Sequence, residues 1–117
     1  MALNITHREV DGVSVVTLEG QIGLGDDVNS LREKVKSLLA EGKRKLVLDL
    51  GKVTMVDSAG LGTLVGIHQS TSSRGASLRL CNLGGKLKEL LQMTRLLTVF
   101  TVSENEADAV RSFTKSA

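Results

Sequence analysis

Val53-Thr54-Met55-Val56-Asp57-Ser58-Ala59-Gly60-Leu61-Gly62-Thr63-Leu64-Val65-Gly66 is the stretch that decides the fold. An apolar, strand-like run ends at Asp57-Ser58, and a helical pattern rich in small residues opens at once. The turn therefore joins a strand to a helix and places a hydroxyl at the helix start. The first backbone N–H groups of a helix have no intrahelical partner, so Ser58 is expected to serve as the N-cap. The same place favours negative charge, because the positive end of the helix dipole lies there. Read from the residues alone, Ser58 is either a plain cap or a site able to receive a phosphate. Gly60, Gly62 and Gly66 cost this helix about 1 kcal/mol each relative to Ala, so packing or partner access should explain them.

Upstream, Leu3 to Glu9 and Val13 to Glu19 read as two strands split by Asp11-Gly12, a pair that signals a hairpin. In the second run Val13 and Val15 face one way, and Ser14, Val16 and Leu18 the other. Gly20 to Gly25 reads as a loop. Asp26 or Asp27 then caps a helix whose Val28, Leu31, Val35, Leu38 and Leu39 share one face, and Gly42 is its expected stop. Lys45 to Leu50 is a short strand with Leu46, Leu48 and Leu50 on one face, and Gly51 to Val56 leads into the turn.

Downstream, the helix from Ser58 is expected to reach about Ser73, with Leu61, Leu64, Val65 and His68 as its apolar stripe. Ser77 to Cys81 is a strand, Lys86 to Met93 a short helix, and Thr98 to Val102 a short β-branched stretch. Ser103 with Glu106 three residues later fits a capping box for a last helix that buries Ala107, Val110 and Phe113. Residues 114–117 are expected to fray. The element order is β-β-α-β-α-β-α-(β)-α. Alternation of this kind favours parallel neighbours joined by right-handed crossovers. The fold class is α/β: one mixed sheet of four to five strands, an N-terminal hairpin, and about four helices mainly on one face.

Composition narrows the chemistry. The 117 residues are enough for one domain, expected over 1–117, and 41% of them are hydrophobic. Phe100 and Phe113 are the only aromatics, so stacking platforms for single-stranded nucleic acid are missing. The net charge is +2, and the densest basic run is Lys43-Arg44-Lys45, which reads as a solvated turn. A lone Cys81 excludes an intrachain disulfide and is expected in the core, as are Met55 and Met93. No secretory leader is evident, and no apolar run approaches the roughly 20 residues of a membrane span. A cytoplasmic protein without membrane or direct nucleic-acid contact is expected.

An enzyme is not supported. A nucleophile elbow needs Gly two residues before the serine, where Val56 stands. His68 lies about 15 Å further along the helix from Ser58, too far to be its base, and His7 lies in the first strand. Gly60-Leu-Gly62-Thr-Leu-Val-Gly66 has one residue too many for the dinucleotide fingerprint. No phosphate loop or metal-ligand spacing occurs, and no cofactor is implied.

Met55-Val56-Asp57-Ser58-Ala59-Gly60-Leu61-Gly62 resembles the signature of STAS domains, specifically bacterial anti-sigma factor antagonists. Leu46-Val47-Leu48-Asp49-Leu50, Leu18-Glu19-Gly20 and Leu90-Leu91-Gln92-Met93-Thr94 are also similar to theirs, so the resemblance runs over nearly the entire chain. It implies a phosphorylation switch at Ser58. The unphosphorylated form would bind an anti-sigma factor serine kinase and free the sigma factor, phosphate on Ser58 would end binding, and a serine phosphatase would restore it. The implied partner surface comprises Asp57, Ser58, Ala59, Gly60, Leu61 and Gly62 with Gln21, Ile22, Gly23 and Asp26, on a monomer or weak dimer. The alternative is a non-catalytic STAS scaffold in a larger complex, with Ser58 only a cap. One departure stands out: members often carry Gly-Glu/Arg-Leu/Ile-Asp after the second strand, with the Asp in the partner-facing loop. Here the stretch is Gly20-Gln21-Ile22-Gly23, and Asp26 or Asp27 would have to compensate.

Overall fold

The hairpin forms first in the chain and sets the sheet. Asp11 and Gly12 both adopt positive φ, 51° and 80°, as a tight two-residue hairpin turn requires, and they join β1 (Asn4–Val10) to β2 (Val13–Ile22) in antiparallel register. The computed structural model describes residues 3–23 and 26–114, without the side chains of residues 26, 27 and 114. After the hairpin come α1 (Asp26–Ala40), β3 (Lys45–Val56), α2 (Ser58–Ser73), β4 (Ser77–Cys81), α3 (Gly85–Met93), a 3-10 turn (Leu96–Thr98), β5 (Thr101–Ser103) and α4 (Glu106–Thr114). The sheet order is β1-β2-β3-β4-β5, and every pair after the hairpin is parallel. The expected mixed α/β sheet is thus observed with five strands and four helices.

A right-handed crossover that always steps in the same direction returns its helix to the same face of the sheet. This is why α1, α2 and α3 lie together. Leu31, Leu38, Leu64 and Leu91 of these helices meet Val16, Leu18, Leu46, Leu48 and Leu80 of the strands in the larger core. No crossover follows β5, so α4 is free to turn to the other face. There Ala109, Val110 and Phe113 cover Val13, Val15, Val47 and Cys81. The Arg79 guanidinium lies 4.1 Å from the Phe113 ring centroid and closes that side. Burial pushes the Cys81 thiol up to about 12, with the negative charges of Asp49 and Glu106 adding to it. The thiol therefore stays protonated and packs as a small apolar group, as expected.

Several boundaries differ from the sequence reading. β3 runs on through Gly51 to Val56, and β2 includes Gly20, Gln21 and Ile22 instead of ending at Glu19, because the two strands pair to their tips: Gln21 opposite Met55 and Ile22 opposite Val56. The register slips on either side of Gly20, whose φ of 120° suits a bulge that only glycine enters freely. The Thr98 to Val102 stretch divides into the 3-10 turn and the shorter β5. In α4 the cap is Asn105 and not Ser103: Asn105 Oδ1 accepts the Asp108 N–H at 2.8 Å. Ser103 ends β5, Glu106 pairs with Arg8 instead of closing a box, and the helix buries Ala109 where Ala107 was expected. Thr114 is the last residue of α4; the expected fraying of 115–117 lies outside the described residues. Met55 and Met93, expected inside, are 51% and 75% exposed. Among the described residues no helix is long and apolar enough to cross a membrane.

The cap assignment is directly testable. Asn105→Ala should lower stability by about 1 kcal/mol through loss of the N-cap, whereas Ser103→Ala should stay within about 0.5 kcal/mol. Urea denaturation of the two variants against the parent separates them, and a larger loss in Ser103→Ala would refute the assignment.

Candidate functional site

The strand-to-helix turn after β3 is held by three hydrogen bonds, one to β2 and two within the start of α2. The Asp57 N–H donates to the Ile22 carbonyl at the tip of β2, at 3.2 Å. Asp57 has extended backbone (φ −93°, ψ −177°), and its Oδ1 accepts the Gly60 N–H at 2.8 Å. Its carbonyl accepts the Leu61 N–H at 2.8 Å, which starts the helical ladder. Asp57 is therefore the N-cap of α2, and Ser58 is the first helical residue. This corrects the expectation that Ser58 caps the helix. Two cap-forming residues stand side by side, and the bond from Asp57 to β2 selects the first.

Relieved of capping, Ser58 is exposed, and its hydroxyl makes no hydrogen bond to any described residue. Around it the expected site residues split into two kinds. Gln21, Ile22 and Gly23 are brought against Asp57 and Gly60 by the β2–β3 register, so the two segments are neighbours. Within them, however, Ile22 and Leu61 are 1% and 8% exposed and belong to the core. Gly60 is also internal: a Cβ built on it would stand 2.0 Å from the Ile22 carbonyl oxygen. It serves the contact between α2 and β2, so packing, of the two explanations left open, accounts for this glycine. Gly62 is the opposite case, exposed and with nothing within 4 Å of a built Cβ. Ala59 and Gln21 are half-buried, and the Asp26 side chain lies outside the described residues.

Gly23 explains itself through Asp57. A Cβ at position 23 would lie 2.6 Å from Asp57 Oδ2, so any side chain there would crowd the carboxylate that caps α2. An Asp at this position would also set two carboxylates in contact, each disfavouring the other's charge.

Met55 was missed as a surface residue. It sits two residues before Asp57 on the overhanging end of β3, beyond the cover of the helices, and its exposure adds an apolar patch next to the turn. Thr63 is buried one turn further on; it donates to the Ala59 carbonyl and accepts from Arg32 of α1, at 3.0 and 3.2 Å. Nothing local in the sequence marks this role, which only the α1 contact reveals.

No base serves Ser58. His7 is bonded to Glu9 in β1, and the His68 ring packs edge-on against Phe100 at 5.4 Å. Among the described residues no group of three or more His, Cys, Asp or Glu side chains could hold a metal ion. The arrangement offers one unencumbered hydroxyl on a rigid turn, with the partial positive charge of a helix start behind it.

Residues 4–109 match the STAS domain family. The anti-sigma-B factor antagonist of Bacillus subtilis strain 168 is 32% identical over 114 residues, covering 95% of this chain and 100% of that protein. Among solved structures, an anti-sigma factor antagonist from Mycobacterium paratuberculosis superposes with a TM-score of 0.83 at 22% identity, over 95% of this chain and 93% of that one. The phosphorylated form of the Bacillus cell fate determinant SpoIIAA superposes with a TM-score of 0.71 at 17% identity, over 96% and 99%. The chain belongs to the STAS domain family.

The two glycines should respond oppositely to the same methyl group. Gly60→Ala forces the α2–β2 contact apart and should cost at least about 2 kcal/mol, while Gly62→Ala meets no atom and should gain up to about 1 kcal/mol from helix propensity. Chemical denaturation of both variants checks this; equal effects would contradict the packing described.

Proposed function

We propose that the protein is an anti-sigma factor antagonist controlled by phosphorylation of Ser58. Without phosphate it binds an anti-sigma factor serine kinase and so frees a sigma factor. The kinase phosphorylates Ser58 and ends the association, and a serine phosphatase reverses this. The protein acts in the cytoplasm as a single STAS domain, monomeric or weakly dimeric, is itself a substrate, and needs no cofactor. The partner rests on the turn, on Asp57, Ser58, Ala59 and Gly62, and its footprint includes Gln21, Gly23 and Asp26.

The observation that carries this reading is the state of Ser58: a helix-start hydroxyl that is exposed and has no capping duty. A phosphate there adds about −1.5 to −2 charges at pH 7. The helix start tolerates that charge, and no internal hydrogen bond of Ser58 is lost. A partner surface packed on the turn has no such tolerance, since it must desolvate the dianion and make room for it. The neighbouring Asp57 carboxylate deepens the repulsion in an acidic contact. The names of the relatives support the same reading. That Asp57 performs the capping supports the switch reading over a capping role for Ser58.

Incubation with the serine kinase and ATP should add one phosphate to the intact protein by mass, and none to Ser58→Ala. A phosphate that persists in Ser58→Ala would overturn the site. Ser58→Glu should weaken kinase binding at least tenfold by calorimetric titration while shifting folding stability by no more than about 1 kcal/mol. Unchanged affinity would remove the switch.

A further inference from the structure

An open groove of about 450 Å³ runs between α1 and α2. Its floor is apolar, formed by Val35, Leu39 and Ile67, which are almost wholly buried. Its rim is cationic, with Arg32 and Lys36 on α1 and Arg74 at the end of α2, all exposed. Among the described residues no acidic side chain lines it. None of these three cations takes part in the ion pairs among the described residues; Arg32 is spent only on the Thr63 hydroxyl. The rim charge is therefore uncompensated within the groove.

Gly66 lines this groove, and a Cβ built on it would meet nothing within 4 Å. Glycine in mid-helix is unfavourable relative to alanine, and here no internal contact asks for it. What its hydrogen leaves is room for another chain to approach the α2 backbone. Gly66 stands four residues after Gly62 and eight after Ser58, so the three lie along one side of α2. Gly66 lies about 12 Å from Ser58 along the axis, so a segment seated in the groove reaches the exposed helix start in little more than two turns.

We propose that this groove is the docking site for an acidic, amphipathic segment of the protein partner, laid along α2 from Ser58 towards Arg74. The proposal rests on the reading that a partner engages the Ser58 end. Apolar side chains of the segment settle against the aliphatic stems of Arg32, Lys36 and Arg74, its backbone passes close over Gly66, and its carboxylates meet the three cationic heads. The open space over Gly66 and the aliphatic stems along the rim distinguish this occupant from a simple anion, which would use neither. The lack of aromatic side chains in the groove distinguishes it from single-stranded nucleic acid, which needs bases to stack.

The first test uses a synthetic helical peptide of leucine and glutamate, titrated into the full chain labelled with 15N. Amide shifts should centre on Gly66, Ser70 and Ser73, and binding should weaken at least tenfold between about 0.05 and 0.5 M salt as the ion atmosphere screens the rim. The triple charge reversal R32E/K36E/R74E should lose at least tenfold in affinity. So should Gly66→Leu, which fills the groove and should leave Tm unchanged or higher. Absence of shifts in the groove, or full binding by Gly66→Leu, overturns the proposal. The same variants are then measured against the kinase that phosphorylates Ser58. If Ser58→Glu weakens that complex and the groove variants do not, the groove is refuted and the switch stands. If the groove variants weaken it while Ser58→Glu and phosphorylation have no effect, the switch is refuted and the groove stands.

Discussion

The carbonyl of Ile22 is the point on which the turn depends. It accepts the Asp57 N–H, and it lies so near Gly60 that no side chain could be added there. One backbone oxygen at the tip of β2 thereby fixes both the last residue before α2 and the first turn of α2. The long parallel pairing of β2 with β3, carried to Ile22 opposite Val56, brings that oxygen into place. Asp57 completes the arrangement by capping the helix, and Gly23 leaves its carboxylate room to do so. Ser58 is consequently rigid in backbone and free in side chain. A group that is held still and is not needed by the fold can be modified without disturbing what holds it.

The topology explains what kind of site this can be. Open α/β sheets bind small ligands in the crevice where strand order reverses. Here the strands follow chain order from edge to edge, so helices α1 to α3 pack side by side on one face and no such crevice opens. What the sheet presents at the β3 end is an exposed rim of turns, with Met55 at the edge of a hollow of about 250 Å³ shared with the start of α3. The opposite face is closed by α4, with Arg79 over Phe113, and takes no part in the rim.

Much of this was legible in the sequence. The Asp-Gly hairpin, the alternating leucines of β3 and the helical spacing of α1 each state their structure locally, and the aliphatic core follows from them. The turn after Val56 was legible as a strand-to-helix junction, but the division of labour within it was not. Asp57 and Ser58 are equally good caps by residue type, and the choice is made by a bond to a strand more than 30 residues away. Asn105 displaced Ser103 in the same way, because β5 held Ser103 in the sheet. Gly60, Gly62 and Gly66 look alike in the sequence, yet one is forced by contact with β2 and the other two face open space. Met55 and Met93 carry no mark of exposure, since hydrophobicity predicts burial only where a neighbouring element reaches.

The order of the strands has a further consequence for how the chain comes into being. Each strand of this sheet pairs with the one made just before it. A nascent chain emerging from its N-terminus can therefore add strands one at a time to a growing edge, with no gap held open for a segment not yet synthesised. The contacts that must close span one crossover each, which keeps the loop-closure cost of every step small. Only α4 arrives after the sheet is complete, as the lid on a face that is last to be sheltered from water.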